Sequence, residues 1–224
     1  MVNRIGTIIQ AHMSSRRLPG KVMMKLGDMP ILSHVIERAK KIQHSDVLVV
    51  ATSDLACDDV IAKYCHELGV ECFRGSDSDV LDRYFCAAQK YGVSDIVRIC
   101  SDSPLLDYCL IDDEIRCYFE GDYDIVTCGN RMPLGLDCDV FSIGVLEEAY
   151  NKAILKHQRE HVIPYILEHS NRKFFYNTAD DFSKLDFSID TIEDFHYIER
   201  IYKKLSARSD DFSINEIVRL NISA

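Results

Sequence analysis

The sequence predicts an α/β protein, a three-layer αβα sandwich around a mostly parallel central sheet, and two observations predict it. Four short apolar runs recur through the first half: residues 5–11 (IGTIIQA), 47–51 (VLVVA), 70–73 (VECF) and 96–100 (IVRIC). Each has the length and composition of a buried strand. Between them apolar residues return at helical spacing: Ile31, Leu32, Val35, Ile36 and Ala39; then Val60, Ile61, Tyr64, Cys65 and Leu68; then Val80, Leu81, Tyr84, Phe85 and Ala88. Repeated strand, helix, strand alternation implies right-handed crossovers, parallel pairing and helices on both faces of the sheet.

The second half is less regular. Its patterns predict helices over 105–119, 143–154, 159–168, 192–205 and 213–220, and strands near 124–127, 137–141 and 173–176. No Gly/Ser/Pro-rich linker, repeat or low-complexity tract divides the chain, so residues 1–224 read as one domain. Residues 125–175 are expected to protrude and to serve an acceptor pocket or a subunit contact.

Composition narrows the function classes. With 224 residues, 47% of them hydrophobic, the chain can bury a full core. A formal net charge of −10 gives a surface that repels nucleic acid and anionic membrane, so neither is an expected partner. No apolar run approaches the ~18 residues of a membrane span, and the opening MVNRIGTIIQ lacks the apolar stretch and cleavage site of a signal peptide. A cytoplasmic location is therefore expected. The nine cysteines are odd in number and form no C-x₂-C pair, and they read as free thiols.

In such a sheet, ligands bind beyond the carboxyl ends of the strands. The first strand runs into QAHMSSRRLPGK, residues 10–21, and backbone amides with a lysine in this position suit a phosphate. Neither glycine-rich phosphate fingerprint is present, so Arg16, Arg17 and Lys21 would supply the charge. A solvated basic loop fits the same pattern. Asp54, Asp102 and Asp190 follow other strand-like runs, where carboxylates can converge on Mg²⁺ together with substrate phosphates. Each also has a structural reading: Asp54 as a cap for the helix near Cys57, Asp102 in an S-D-S-P turn, and Asp190 in a capping arrangement with Glu193. His157-Gln-Arg-Glu160-His161 fits H-x-x-E-H, the spacing of a zinc peptidase helix, with Glu168 or His169 available as a third ligand.

Several stretches together carry a family likeness: Ile9-Gln10-Ala11 running into Ser15 and Arg17-Leu18-Pro19-Gly20-Lys21; Val50-Ala51-Thr52-Ser53; Phe73-Arg74-Gly75-Ser76; and Asp79-Val80-Leu81-Asp82-Arg83-Tyr84. It continues through Asp102-Ser103-Pro104-Leu105, Gly135-Leu136-Asp137 and Arg159-Glu160-His161-Val162 to Asp190-Thr191. In this order they resemble the cytidylyltransferases that make CMP-activated acidic sugars. The likeness is greatest to the spore-coat-polysaccharide-biosynthesis F-like branch, relatives of the CMP-Kdo and CMP-acylneuraminate synthetases.

The resemblance implies a Rossmann-like nucleotide-diphospho-sugar transferase (GT-A-like) fold. It implies Mg²⁺-dependent transfer of CMP from CTP to an acidic sugar or similar small anionic acceptor, release of pyrophosphate, a role in surface polysaccharide or glycan biosynthesis, and a homodimer. Carried over by position, Arg17 and Lys21 would hold the triphosphate and act with Asp102 in catalysis, while Asp102 and Asp190 would ligate Mg²⁺. Gln10, Ala11, His12, Ser15, Arg16, Ala51, Thr52, Ser53, Arg74, Ser76 and Asp77 would line the nucleotide site. Arg131, Asp137, Arg159 and His161 would line the acceptor site, with Arg131 or Arg159 gripping a carboxylate in two places. Two departures stand out. The family usually has arginine at the position of His12 and threonine at that of Arg16, so either Arg16 or a protonated His12 would restore the charge. It also commonly has Thr-Gly-Asp where this chain has Cys100-Ser101-Asp102. A sugar transferase or nucleotide-sugar-binding protein of related fold would use the same aspartates to hold a metal without attack at phosphorus.

Overall fold

Nine strands and nine helices alternate through the computed structural model, which describes residues 3–207 and 211–222. In chain order they are β1 (Ile5–Gln10), β2 (Lys25–Leu26), β3 (Met29–Pro30), α1 (Ile31–Ala39), β4 (Val47–Ser53), α2 (Asp59–Glu67), β5 (Glu71–Gly75), α3 (Val80–Lys90) and β6 (Asp95–Cys100). There follow α4 (Tyr108–Glu120), β7 (Ile125–Cys128), β8 (Asp139–Ser142), α5 (Ile143–Lys152), α6 (Lys156–His161), α7 (Pro164–His169), β9 (Lys173–Tyr176), α8 (Ile192–Ser206) and α9 (Ile214–Ile222). Seven strands form one sheet in the order β5-β4-β1-β6-β8-β7-β9, and β2 and β3 form a separate hairpin. The sheet is parallel except for β8, which runs antiparallel to both β6 and β7.

Successive strand residues point to opposite faces, and this period of two builds two cores. Ile9, Val50, Val97, Ile99 and Val140 pack on the face covered by α1, α2 and α4, where Leu32, Ile36, Ile61, Ile111 and Ile115 are buried. Ile8, Ala51, Ile96 and Phe141 face the other layer, α3, α5 and α7, through Leu81, Tyr84, Leu146 and Ile166. A third cluster joins α8 and α9 to Leu26, Ile31, Leu136, Phe187 and Ile189. It fixes the segment just before α8 against the open end of the sheet.

Local chemistry shifts several boundaries from their predicted places. The helix predicted to start at 105 starts at Tyr108, because the Asp107 carboxylate accepts the N–H groups of Cys109 and Leu110 and caps it. The helix predicted over 159–168 is two helices, broken where Val162 adopts a φ of 68° and Pro164 opens the second. α8 is capped by Thr191 with Asp194, in place of Asp190 with Glu193. Asp54 caps nothing, since α2 begins without a side-chain cap. Residues 125–175, expected to protrude, instead extend the sheet through β7, β8 and β9 and cover one face with α5 to α7. The apolar face of this stretch is buried: Val126, Val140, Phe141 and Leu146 are all fully inaccessible.

One turn is held by close backbone contact. Gly135 has φ +85°, and a Cβ there would lie 2.6 Å from the Ser188 nitrogen and 2.7 Å from the Phe187 carbonyl carbon. Gly69 has φ +64° with open space around it. Gly69→Ala is expected to cost about 1 kcal/mol from the backbone alone. Gly135→Ala is expected to cost more, about 2–3 kcal/mol, because the chain must also move away from Phe187 and Ser188. Thermal unfolding of the two variants checks the order.

Candidate active site

Three segments distant in sequence meet at the carboxyl edge of β1 and β6. After β1 the chain loops to Gly20, whose left-handed φ of 74° starts a single helical turn that buries Lys21. The Lys21 Nζ donates to Asp102 Oδ2 at 2.7 Å, to Asp190 Oδ1 at 2.9 Å and to the Ile189 carbonyl at 2.6 Å. The exposed Arg17 guanidinium pairs with the other Asp190 oxygen at 2.6 Å. Burial alone would lower the Lys21 pKa, but the two carboxylates outweigh it and hold the ammonium above its ordinary value. Asp190 is free for this role because Thr191 and Asp194 supply the helix cap.

Two carboxylates touching one ammonium lie close enough together to offer an oxygen each to one cation. That all-oxygen donor set suits a hard divalent ion completed by phosphate oxygens and water. Among the described residues no group of three or more His, Cys, Asp or Glu side chains could hold a metal. His157 lies 3.0 Å from Glu168 across α6 and α7, so the H-x-x-E-H stretch is an interhelical contact in place of a zinc site.

The expected nucleotide side is a set of loops tied to one another. Ala51, Thr52 and Ser53 are fully buried at the end of β4, and their main chain is already engaged. The Ala51 carbonyl accepts the Ala11 N–H at 3.1 Å, and the Ser53 carbonyl accepts Arg74 Nε at 3.0 Å. Arg74 also bonds Asp59 and the Leu55 carbonyl, so it clamps the loop after β4. Asp58 is fully buried and accepts the Met13 N–H at 2.7 Å and the Ser53 hydroxyl at 2.5 Å, which staples the loop after β1 to that after β4. Burial would raise its pKa, but the bonds from Ser53 and Met13 hold its carboxyl below the usual aspartate range.

Ser76 Oγ accepts the Asp79 N–H, Asp77 is exposed, and Arg83 is buried beneath them, donating to the Ser76 carbonyl. His12 lies 3.0 Å from the Ser14 hydroxyl, and Ser15 is partly buried beside it. Burial first, and then Arg83, lower the His12 pKa below its ordinary value. Both effects favour the neutral imidazole, and Arg16, Arg17 and Lys21 are the other cations of the loop.

The acceptor expectations divide. A cavity of about 240 Å³ opens at the same edge, lined by Arg98, Cys100, Asp102, Ser103, Gly135 and Asp137 among others. Arg98 Nη1 pairs with Asp139 at 2.6 Å, and Nη2 reaches Gln10 Oε1 at 3.3 Å. Arg159 does not present its guanidinium to this cavity. It grips Asp79 through two nitrogens at 2.5 and 2.9 Å and bonds the Tyr150 carbonyl, fastening α6 to the start of α3. Arg131 is exposed and bonds the Ala179 carbonyl, and His161 is exposed at the end of α6. Sequence reasoning missed Asp58, Arg83 and Arg98. The signal for Arg98 was available, since a lone arginine inside the apolar strand IVRIC must find a buried partner.

A Rossmann-like sheet whose carboxyl edge sets a lysine and an arginine against two aspartates is the architecture of a nucleotidyltransferase. The chain belongs to the cytidylyltransferase family, whose model matches residues 7–216. It is 41% identical to the uncharacterised protein MJ1063 of Methanocaldococcus jannaschii, over 93% of this chain and 85% of that one. It is 34% identical to the spore coat polysaccharide biosynthesis protein SpsF of Bacillus subtilis, over 98% of this chain and 94% of that one. The solved structure of a cytidylyltransferase from Leptospira borgpetersenii superposes with a TM-score of 0.92 at 31% identity, covering 97% of this chain and 93% of that one. The protein is thus a CTP-dependent nucleotidyltransferase that transfers CMP. No helix among the described residues is long and apolar enough to cross a membrane.

The depressed Asp58 carboxyl makes a pH prediction. A group whose folded pKa lies below its unfolded value stabilises the fold above the unfolded pKa of ~3.9, and that contribution disappears as pH falls through the folded pKa. Asp58→Asn is expected to be less stable than the parent by about 1–3 kcal/mol at pH 7. The gap should narrow below pH ~4 as the parent's carboxyl protonates. Denaturant unfolding of both proteins at the two pH values measures it.

Proposed function

We propose that the enzyme transfers CMP from CTP, with Mg²⁺, to an oxygen of a small sugar-type acceptor that carries an anionic group, releasing pyrophosphate in surface-polysaccharide synthesis. The observation that carries this reading is the single Lys21 ammonium held between Asp102 and Asp190, with Arg17 on the outer oxygen. Nucleotidyl transfer needs alignment and charge neutralisation more than covalent chemistry. In this reading Lys21 and Arg17 would neutralise the charge that grows on the departing pyrophosphate. Asp102 and Asp190 would hold Mg²⁺, which supplies further neutralisation of the triphosphate when bound.

For the acceptor, Arg98 is the cation among the residues lining the cavity, where one of its nitrogens pairs with Asp139. In this reading Arg98, in place of Arg131 or Arg159, would face the acceptor's negative group. Polysaccharide synthesis rests on the likeness to SpsF.

The test is pyrophosphate release from CTP across a panel of ulosonic and nonulosonic acids, with and without Mg²⁺. Release that requires both acceptor and metal supports the reading, and an enzyme silent toward every acid in the panel counts against an acidic acceptor. Asp102→Asn and Asp190→Asn should each lower turnover at least ~100-fold while the far-UV circular dichroism stays that of the parent. Near-normal turnover in either variant removes that aspartate from the metal site.

A further inference from the structure

We propose that Asp137 is the general base that takes the proton from the acceptor hydroxyl in CMP transfer. The inference rests on the transfer reading above and assigns the group that reading leaves open. Three observations of geometry carry it. First, β8 runs antiparallel to β6 with Arg98 opposite Asp139, so Asp137, two residues earlier, lies beside Cys100 at the end of β6. Second, Asp137 shares its cavity with Asp102, where the attacked phosphate would sit. Third, the other acids of this region are held by charged or backbone partners or, like Glu114 with one oxygen unpartnered, lie off the cavity lining, whereas Asp137 lines the cavity and takes the Cys128 thiol. Asp139 bonds Thr127 with one oxygen and Arg98 with the other, Glu114 takes the N–H and thiol of Cys138, and Asp102 is paired with Lys21.

In the step, the acceptor oxygen forms a bond to the α-phosphorus as its proton passes to a carboxylate oxygen of Asp137. The bond from the α-phosphorus to the bridging oxygen breaks, and its electron pair leaves with pyrophosphate. Asp137 then returns the proton to solvent.

The surroundings tune the group for this work. Burial, and next the Asp139 carboxylate, push Asp137 up to about 7, against the opposing pull of the Cys128 thiol and Arg98. Glu114 on α4 and Asp102 after β6 face it from the remaining sides; Glu114 is raised well above the ordinary glutamate value, by burial and then by Asp137, and the Cys100 and Cys138 thiols are raised as well. A base titrating near the working pH combines a useful ionised fraction with real proton affinity. Because the base must be ionised, the rate should fall as pH drops through about 7.

The experiment uses the full-length enzyme with CTP, Mg²⁺ and the acid of the panel that gives the fastest pyrophosphate release, comparing parent, Asp137→Asn and Asp137→Glu. Expected for Asp137→Asn is a kcat loss of ~10²- to 10⁴-fold with little change in KM for CTP, and no acid limb in the residual rate. Asp137→Glu should recover part of the rate and keep a limb. A second measurement needs no acceptor: the carboxyl carbons of ¹³C-labelled aspartate are titrated by NMR, with Asp137 assigned by difference from the Asn variant. A midpoint near that of the activity limb supports the base. A midpoint near the ordinary ~4, or an Asn variant that keeps its limb and its kcat within about tenfold, overturns it. No pyrophosphate release by the parent with any acid overturns the acidic-acceptor reading instead, whatever the carboxyl titration gives.

Discussion

The contact on which the rest of the site depends is the buried Lys21 ammonium shared by Asp102, Asp190 and the Ile189 carbonyl. A cation taken out of water costs several kcal/mol unless nearly every proton it carries finds an acceptor. Here all three protons of Nζ have one, and the acceptors come from positions 81, 168 and 169 residues away. The fold therefore cannot move any one of the three segments without stranding a charge, a change that typically costs about 3–5 kcal/mol. This constraint explains why the segment before α8 is pinned by the third apolar cluster, and why the cap of α8 falls to Thr191 and Asp194. Asp190 has to face the lysine.

Around that contact, other charged groups act on loops before any ligand does. Asp58 ties the loop after β1 to the loop after β4, Arg74 ties the latter to itself, and Arg159 ties α6 to the Asp79 cap of α3. Such loops would otherwise lose conformational freedom on binding a triphosphate. With the ordering done in the fold, binding energy is left for the transition state. Buried groups serve this end better than exposed ones, since an exposed pair contributes little. Asp58 and Arg83 are accordingly among the least accessible charged residues in the chain.

The strands and helices of the first half were legible because burial on both sheet faces writes a plain period of two against a period of 3.6. The cluster of Lys21, Asp102 and Asp190 was legible as positions, since each lies after an apolar run. Their mutual contact was not, because it depends on register between segments far apart in sequence. Arg159 was misread for a related reason. An arginine beside Glu160 and His161 looks available, and only the packing of α6 against α3 shows that Asp79 already holds it. The split of residues 159–168 into two helices could have been read from Pro164 alone.

The most consequential feature that alternation concealed is the direction of β8. Parallel strands each send the loop that follows them to the carboxyl edge. The connection from β7 to β8, residues 129–138, is too short to hold a crossover helix, so β8 has to return antiparallel. Its beginning thus lies at the edge where its neighbours end. That reversal brings Asp137 and Asp139 to the side of Asp102, and the close approach of Gly135 to Phe187 and Ser188 closes the cavity behind them. Two aspartates one residue apart then take different fates from their partners alone. Asp139 is gripped by Arg98 and Thr127, whereas Asp137 faces the cavity, and burial with Asp139 beside it raises its proton affinity.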